Sequence, residues 1–335
     1  MDGCPFGLGA VVVQFNRYPA LLVAFARRAF ALLTAAYFDD CIQLEPQQSA
    51  AEANNRFKRI MGYLGTPPNK KKNFDMASHR VFLGAAITAV RIQHDTSVVI
   101  APKEATRTQV MEDLSLAICT CKLTSAQAAK VRGRSGWLAS NSFGRIGRLG
   151  QAVLKKVQYV KNYIFTDQDA HALRFHREVA SRVPPRSIPL NSKPCRPLVL
   201  YTDAMFTEGF LPKLGILLFR DPPLVPIGLA MVLPLSLVST WRPRKQQIFP
   251  AETAAGPIAF AALQHDLQGR DVVLFVDNEA AVSTLIRGTS CTEDSALMAE
   301  LLHTLCLILR CRLWVEWIDS DSNPSDGLSR DGLSD

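Results

Sequence analysis

The sequence has no CxxC pair, no internal repeat, no long low-complexity tract and no glycine-rich phosphate loop after a strand-like run. The eight cysteines (Cys4, Cys41, Cys119, Cys121, Cys195, Cys291, Cys306, Cys311) are unevenly spaced. That spacing excludes a small disulfide framework and reads as free thiols in a reducing, intracellular setting, nucleus or cytoplasm unresolved. Met1 opens no stretch of the charged, apolar, small-residue kind that marks a signal peptide. Pro222 to Trp241 runs for 20 residues without a charge, long enough on length alone to span a bilayer. Four prolines within it (Pro222, Pro223, Pro226, Pro234) argue for loop and buried strand instead, so no membrane partner is expected. Acids are also scarce where bases gather: none occurs from Leu114 to Thr166.

The chain has 335 residues, of which 48% are hydrophobic and 20% charged, enough to bury cores in two domains of about 100 to 200 residues each. The net charge of +8 is unevenly distributed. Residues 1 to 192 carry 26 Lys/Arg against 13 Asp/Glu, whereas residues 193 to 335 carry 12 against 17. A basic partner-binding face and an acidic chemical site are therefore expected in different parts of the chain. Composition and turn signals divide it into residues 1–92, a basic and mostly helical stretch over 93–181, a proline-rich linker over 182–197, and an α/β layer over 198–331.

In the last of these, strand-like runs at Leu198 to Thr202, Leu214 to Phe219 and Ile227 to Leu233 precede a helix over Glu252 to Leu267 that contains Pro257. A strand over Val272 to Val276, a helix over Glu279 to Ile286, a helix beginning at Thr292 and a strand over Leu313 to Ile318 follow. Leu297, Leu301, Leu305 and Ile308 are expected to be the buried stripe of the helix that Thr292 opens. Asp203 and Asp277 each close an apolar strand, where open α/β sheets gather their ligand-binding side chains. With Glu252 and Asp326 they make a set of four carboxylates able to hold two divalent ions. A donor set of hard oxygens alone suits Mg²⁺, with Mn²⁺ as the alternative. Any one of these acids taken singly is better read as a solvated turn residue.

The segments Leu198-Val199-Leu200-Tyr201-Thr202-Asp203, Ala251-Glu252, Phe275-Val276-Asp277-Asn278 and Asn323-Pro324-Ser325-Asp326-Gly327-Leu328-Ser329-Arg330 resemble, in that order, the ribonuclease H-like domain of retroelement polyproteins. The resemblance covers residues 196 to 331 and implies that Asp203, Glu252, Asp277 and Asp326 are the metal-binding catalytic tetrad. The histidine that ribonucleases H carry shortly before the last aspartate is missing here. The Asn-x-x-Asp-x-Leu-Ser-Arg ending resembles the tyrosine-recombinase (DIRS-like) retroelements in particular.

Upstream, Tyr37-Phe38-Asp39-Asp40 lies between two strand-like runs and reads as a hairpin with Asp39 and Asp40 at its tip. It resembles the YxDD motif of reverse transcriptases, in which Asp39 and Asp40 would be catalytic and Asp39 a metal ligand. Other segments follow the same family's order. Pro5-Phe6-Gly7-Leu8 and Arg17 resemble the motif that contacts template and incoming nucleotide, Lys72 of the Lys70-Lys71-Lys72 run the later lysine motif, and Phe82-Leu83-Gly84 the primer grip. The helix expected from Ala10 past Arg28 contains Pro19, which could kink or divide it. Only Asp2 lies upstream of Pro5, so the family's other palm aspartate has no counterpart and the chain by itself is expected not to polymerise.

Between Leu114 and Thr166 lie nine positive charges, among them Lys130, Arg132, Arg134, Arg145 and Arg148. Trp137, Phe143, Tyr159, Tyr163 and Phe165 are interleaved with them, and Gly133, Gly136, Gly144 and Gly147 would let backbone approach phosphate. The cations read as nucleic-acid contacts and the aromatics as helical core. Together the resemblances imply a truncated polymerase palm and a helical thumb or connection (α+β), then a ribonuclease H-like α/β domain. The expected activity is metal-dependent cleavage of RNA in RNA/DNA hybrids, with template-primer nucleic acid and other parts of the same polyprotein as further partners. The alternative is a non-catalytic nucleic-acid-binding relic.

Overall fold

The computed structural model describes residues 9–69, 71, 73–92, 95–141, 144–182, 184–190 and 196–332. The chain forms two compact units, Met1–Leu83 and Gly84–Asp335. The division falls inside the Phe82-Leu83-Gly84 segment rather than at residue 92, because residues 85–92 are committed to a strand of the second unit.

In the first unit α1 (Gly9–Phe30) runs through Pro19 as one helix. The hairpin expected from Tyr37-Phe38-Asp39-Asp40 is present: β1 (Thr34–Tyr37) pairs antiparallel with β2 (Asp40–Gln43), Tyr37 opposite Asp40. Phe38 begins the turn at φ 53°, a left-handed conformation seldom adopted by an aromatic residue. Then come α2 (Ala50–Tyr63) and β3 (His79–Phe82). Leu22, Ala26, Leu32, Phe57 and Ile60 form this unit's small core.

The second unit opens with β4 (Ala85–Ile92) and β5 (Asp95–Pro102), an antiparallel pair. Helices therefore begin at Glu104 rather than at residue 93. They are α3 (Glu104–Thr120), α4 (Ser125–Asn141), α5 (Arg148–Tyr159) and α6 (Asp167–Arg182), packed around Val110, Leu114, Leu138, Leu154 and Leu173. Within the proline-rich stretch, Arg186–Pro189 is not a bare linker. It forms β6, antiparallel to β5, with its proline at the strand's end, where a missing N–H is tolerated.

The α/β layer follows the expected order: β7 (Leu198–Met205), β8 (Lys213–Phe219), β9 (Ile227–Val232), α7 (Leu235–Val238), α8 (Ile248–Ala262), α9 (Gln264–Leu267), β10 (Asp271–Val276), α10 (Glu279–Arg287), α11 (Glu293–Ile308), β11 (Arg312–Trp317) and α12 (Asp326–Arg330). The sheet order is β11-β10-β7-β8-β9; β7, β10 and β11 run parallel, and β8 and β9 return antiparallel. This mixed sheet is the α/β architecture that the sequence implies. The 20 uncharged residues from Pro222 supply β9 and α7, and among the described residues no helix is long and apolar enough to cross a membrane.

One face was assigned wrongly from sequence. Leu297, Leu301 and Ile308 are 54, 44 and 66% exposed, while α11 buries Ala296, Met298, Ala299, Leu302 and Cys306. The helix packs on α8, whose buried residues include Ala251, Ala254, Ala255 and Ala259. Of the expected stripe Leu305 does pack against the core; alanines on both sides allow close backbone approach, so the inward face is centred on Ala296, Ala299 and Leu302 instead of Leu297, Leu301 and Ile308.

Candidate metal centre

Strand register builds the site. Val276 of β10 lies opposite Thr202 of β7, so Asp277, just past the end of β10, comes beside Asp203, which is still within β7. Glu252 projects from the second turn of α8, where its Oε1 accepts a hydrogen bond from the Ala204 N–H at 3.2 Å. One carboxylate oxygen from each of Asp203, Glu252 and Asp277 lies within 4.8 Å of the others. They line a cavity of about 450 Å³ whose wall also includes Asn278, Ser320, Asp326 and Arg330.

Asp326 comes from the start of α12, and its placement depends on Gly215. Gly215 pairs with Asp203 across β7 and β8, and a side chain there would overlap the Ser325 carbonyl and the Ser329 N–H. Its bare backbone lets α12 lie directly on β8. Asn323 anchors the preceding loop by donating from Nδ2 to the Thr202 carbonyl at 3.2 Å. Asp326 is outside the three-carboxylate cluster: it faces the same cavity, and its Oδ1 meets Arg330 Nη2 at 2.8 Å.

Burial and mutual repulsion dominate the electrostatics. Glu252, 4% exposed, has its carboxyl pushed up to about 9, first by desolvation and then by the charges of Asp203 and Asp277. Asp203 is also raised, by desolvation first; the Ser329 hydroxyl hydrogen-bonded to it works in the other direction, and Asp277 and Asp326 raise it further. Glu252 Oε2 is buried and has no hydrogen-bond partner. Three converging acids, a protonation cost and an orphaned oxygen are the features of a cation site, and the all-oxygen donor set fits a hard divalent ion.

The serines here were not picked out from sequence. Ser329 donates to Asp203 Oδ2, and Ser320 donates to Asp277 Oδ2 at 2.9 Å, each fixing the rotamer of a cluster carboxylate. Ser329 and Arg330 lie three and four residues beyond Asp326, a helical spacing that puts them on its side of α12.

The remaining candidates do not join this cluster. Asp39 and Asp40 are exposed at the hairpin tip, and among the described residues no other carboxylates gather into a metal-holding group. Arg17 is exposed on α1; Phe82 ends β3; Leu83 and Gly84 form a turn at φ 49° and 77°. Phe6, Gly7 and Lys72 lie outside the described residues. On α4, Lys130 is exposed, Arg132 lies over the Tyr159 ring at 5.5 Å, and Arg134 pairs with Asp113 at 2.9 Å. Tyr163 and Phe165 pack against the helical core as expected, but Tyr159 is 65% exposed.

Arg145, exposed, and Arg148, partly buried, lie near His303 of α11, beside a buried joint that has no local signature in the sequence. Glu300 of α11, 3% exposed, accepts from the Gly147 and Leu149 N–H groups at 2.9 and 3.2 Å, at the start of α5. Burial pushes Glu300 up to about 7 and holds His176 down to about 4. Gly147 (φ 80°) is a glycine because a side chain would overlap His176, so its expected role of approaching phosphate is replaced by packing.

No protein-family model matches the chain, and no curated protein matches it. Among solved structures, it is similar to ribonuclease H1 of the halophilic archaeon Halobacterium salinarum, with 14% identity over 41% of this chain and 96% of that one and a TM-score of 0.31. The N-terminal ribonuclease H domain of a Mycobacterium tuberculosis protein gives 14% identity, 40% and 91% coverage and a TM-score of 0.31. The foamy viral protease-reverse transcriptase, in complex with RNA/DNA hybrid, aligns with 98% of this chain at 10% identity and a TM-score of 0.38, and 62% of its own length is covered.

Proposed function

We propose that this chain is a divalent-metal-dependent nuclease of the ribonuclease H type, cutting the RNA strand of RNA/DNA hybrids, in a reverse-transcriptase-derived region of a DIRS-like retroelement. The observation that carries the reading is the convergence of Asp203, Glu252 and Asp277, with the orphaned Glu252 Oε2, on a cavity that Asp326 also faces. The hybrid as substrate is supported by the motif order and by the basic α4 face. Nucleotide addition has no place in the reading, since Asp39 and Asp40 have no third carboxylate gathered with them among the described residues.

Asp203, Glu252 and Asp277 would hold Mg²⁺, or Mn²⁺ in its place, with Asp326 completing the set. Two bound ions would supply an activated water and stabilise the leaving 3′ oxygen. The chain's own contribution is preorganisation. Ser329 and Ser320 lock two carboxylates, the Ala204 N–H holds Glu252, and Asn278 caps α10 by accepting from the Ala281 N–H at 3.1 Å.

The test is cleavage of a labelled RNA/DNA hybrid by the purified chain with Mg²⁺, against Asp277→Asn. The substitution keeps the shape and removes the charge, so cleavage should disappear while hybrid binding persists. A folded wild-type chain that binds hybrid and never cleaves it would refute the nuclease and favour the binding relic.

A further inference from the structure

Eleven residues line the acidic cavity, and only one of them, Arg330, is a cation. It is in an unusual position for an ordinary surface arginine. Nη2 is tied to Asp326 at 2.8 Å, while the side chain as a whole remains 62% exposed at the cavity's mouth. A guanidinium presents five N–H donors in a planar fork and stays charged at any working pH, so it cannot shuttle protons but can hold a phosphate.

Charge balance gives it a task. Four carboxylates offset two divalent ions, and an entering phosphodiester then brings one negative charge that no other side chain on this wall can neutralise. We propose that Arg330 is the substrate-binding residue for the scissile phosphate of a nucleic-acid strand. It grips the phosphate with the exposed part of its fork, the donors that Nη2's contact with Asp326 leaves free. The inference rests on the nuclease reading of the same cavity and names the group in it that meets the substrate's charge.

The test is hybrid binding, measured by fluorescence anisotropy across a salt series with Mg²⁺, in the Asp277→Asn background with and without Arg330→Gln. Losing one phosphate contact should weaken binding about ten- to a hundredfold and reduce the slope of log affinity against log salt by about 0.7 to 0.9. Arg330→Lys, which keeps the charge but not the fork, should retain the slope. In otherwise wild-type protein, Arg330→Gln should raise KM more than it lowers kcat, and calorimetric titration with Mn²⁺ alone should show no weaker binding. An unchanged salt slope, as expected of an ordinary exposed i,i+4 ion pair, overturns the proposal. So does weaker Mn²⁺ binding, which would mean that Arg330 serves only to place Asp326. If the wild-type chain never cleaves hybrid and yet Arg330→Gln lowers the slope, the nuclease reading fails and the phosphate contact stands.

Discussion

Removing divalent ions should make this protein less stable as pH rises, and Glu252 is the main reason. Its carboxyl is held near 9 in the folded chain against an ordinary value of 4.5. Folding therefore favours the protonated form. Below about pH 4.5 there is no penalty; above it the cost grows by about 1.4 kcal/mol per pH unit until the folded group ionises. That amounts to ~4 kcal/mol by pH 7.5 and ~6 kcal/mol by pH 9, a large part of a typical 5–15 kcal/mol stability. Solvent screening does not relieve it, because Glu252 is 4% exposed. The charges of Asp203 and Asp277 add to the effect of burial, so the titration belongs to the group. Urea denaturation in EDTA from pH 5 to 9 should show the midpoint falling for the wild type and flattening for Glu252→Gln, which cannot ionise. Mg²⁺ at pH 8 should restore the wild type and leave Glu252→Gln unmoved. Parallel pH profiles for the two proteins in EDTA would refute the reasoning.

Two further outcomes follow from the same structure. Glu300→Ala should cost about 2–4 kcal/mol in urea denaturation, because it leaves the Gly147 and Leu149 N–H groups at the start of α5 without their acceptor. Glu300→Gln, which keeps one acceptor oxygen, should cost less and remove the loss of stability expected between pH 4.5 and about 7 from the raised Glu300 carboxyl. Gly215→Ala should cost about 1–3 kcal/mol, since its methyl group would overlap backbone of the Ser325–Ser329 segment. It should also abolish hybrid cleavage even where circular dichroism shows the sheet intact; full activity would show that α12 need not lie on β8.

The parts of this molecule legible in the sequence were those governed by local pattern. Apolar runs ending in acids marked β7 and β10, and their parallel pairing put Asp203 beside Asp277. The acidic dipeptide between two short runs marked the β1–β2 hairpin. What was not legible depended on the partner across a contact. The inward face of α11 was set by alanines on α8, far away in sequence, so the leucine pattern pointed to the wrong side. Nothing in the residues around Glu300 marks it, because its partners, the Gly147 and Leu149 N–H groups, come from the start of α5 far away in sequence. Ser329 and Arg330 were inside a recognised motif, yet only the closure of α12 over β8 showed which atoms they touch.

The seat that Gly215 provides for α12 also decides whether the centre is whole. Residues 320–330 bring Asp326, the hydroxyls that steady Asp203 and Asp277, and Arg330, and they reach β7 from more than a hundred positions along the chain. A polypeptide whose strands have already paired, but whose α12 has not yet settled, would hold an unfinished centre: acids without their braces and a cavity without its cation. On the nuclease reading proposed above, cleavage of hybrid would wait until α12 is seated on β8, and a copy whose strands have paired without that seat would not cut.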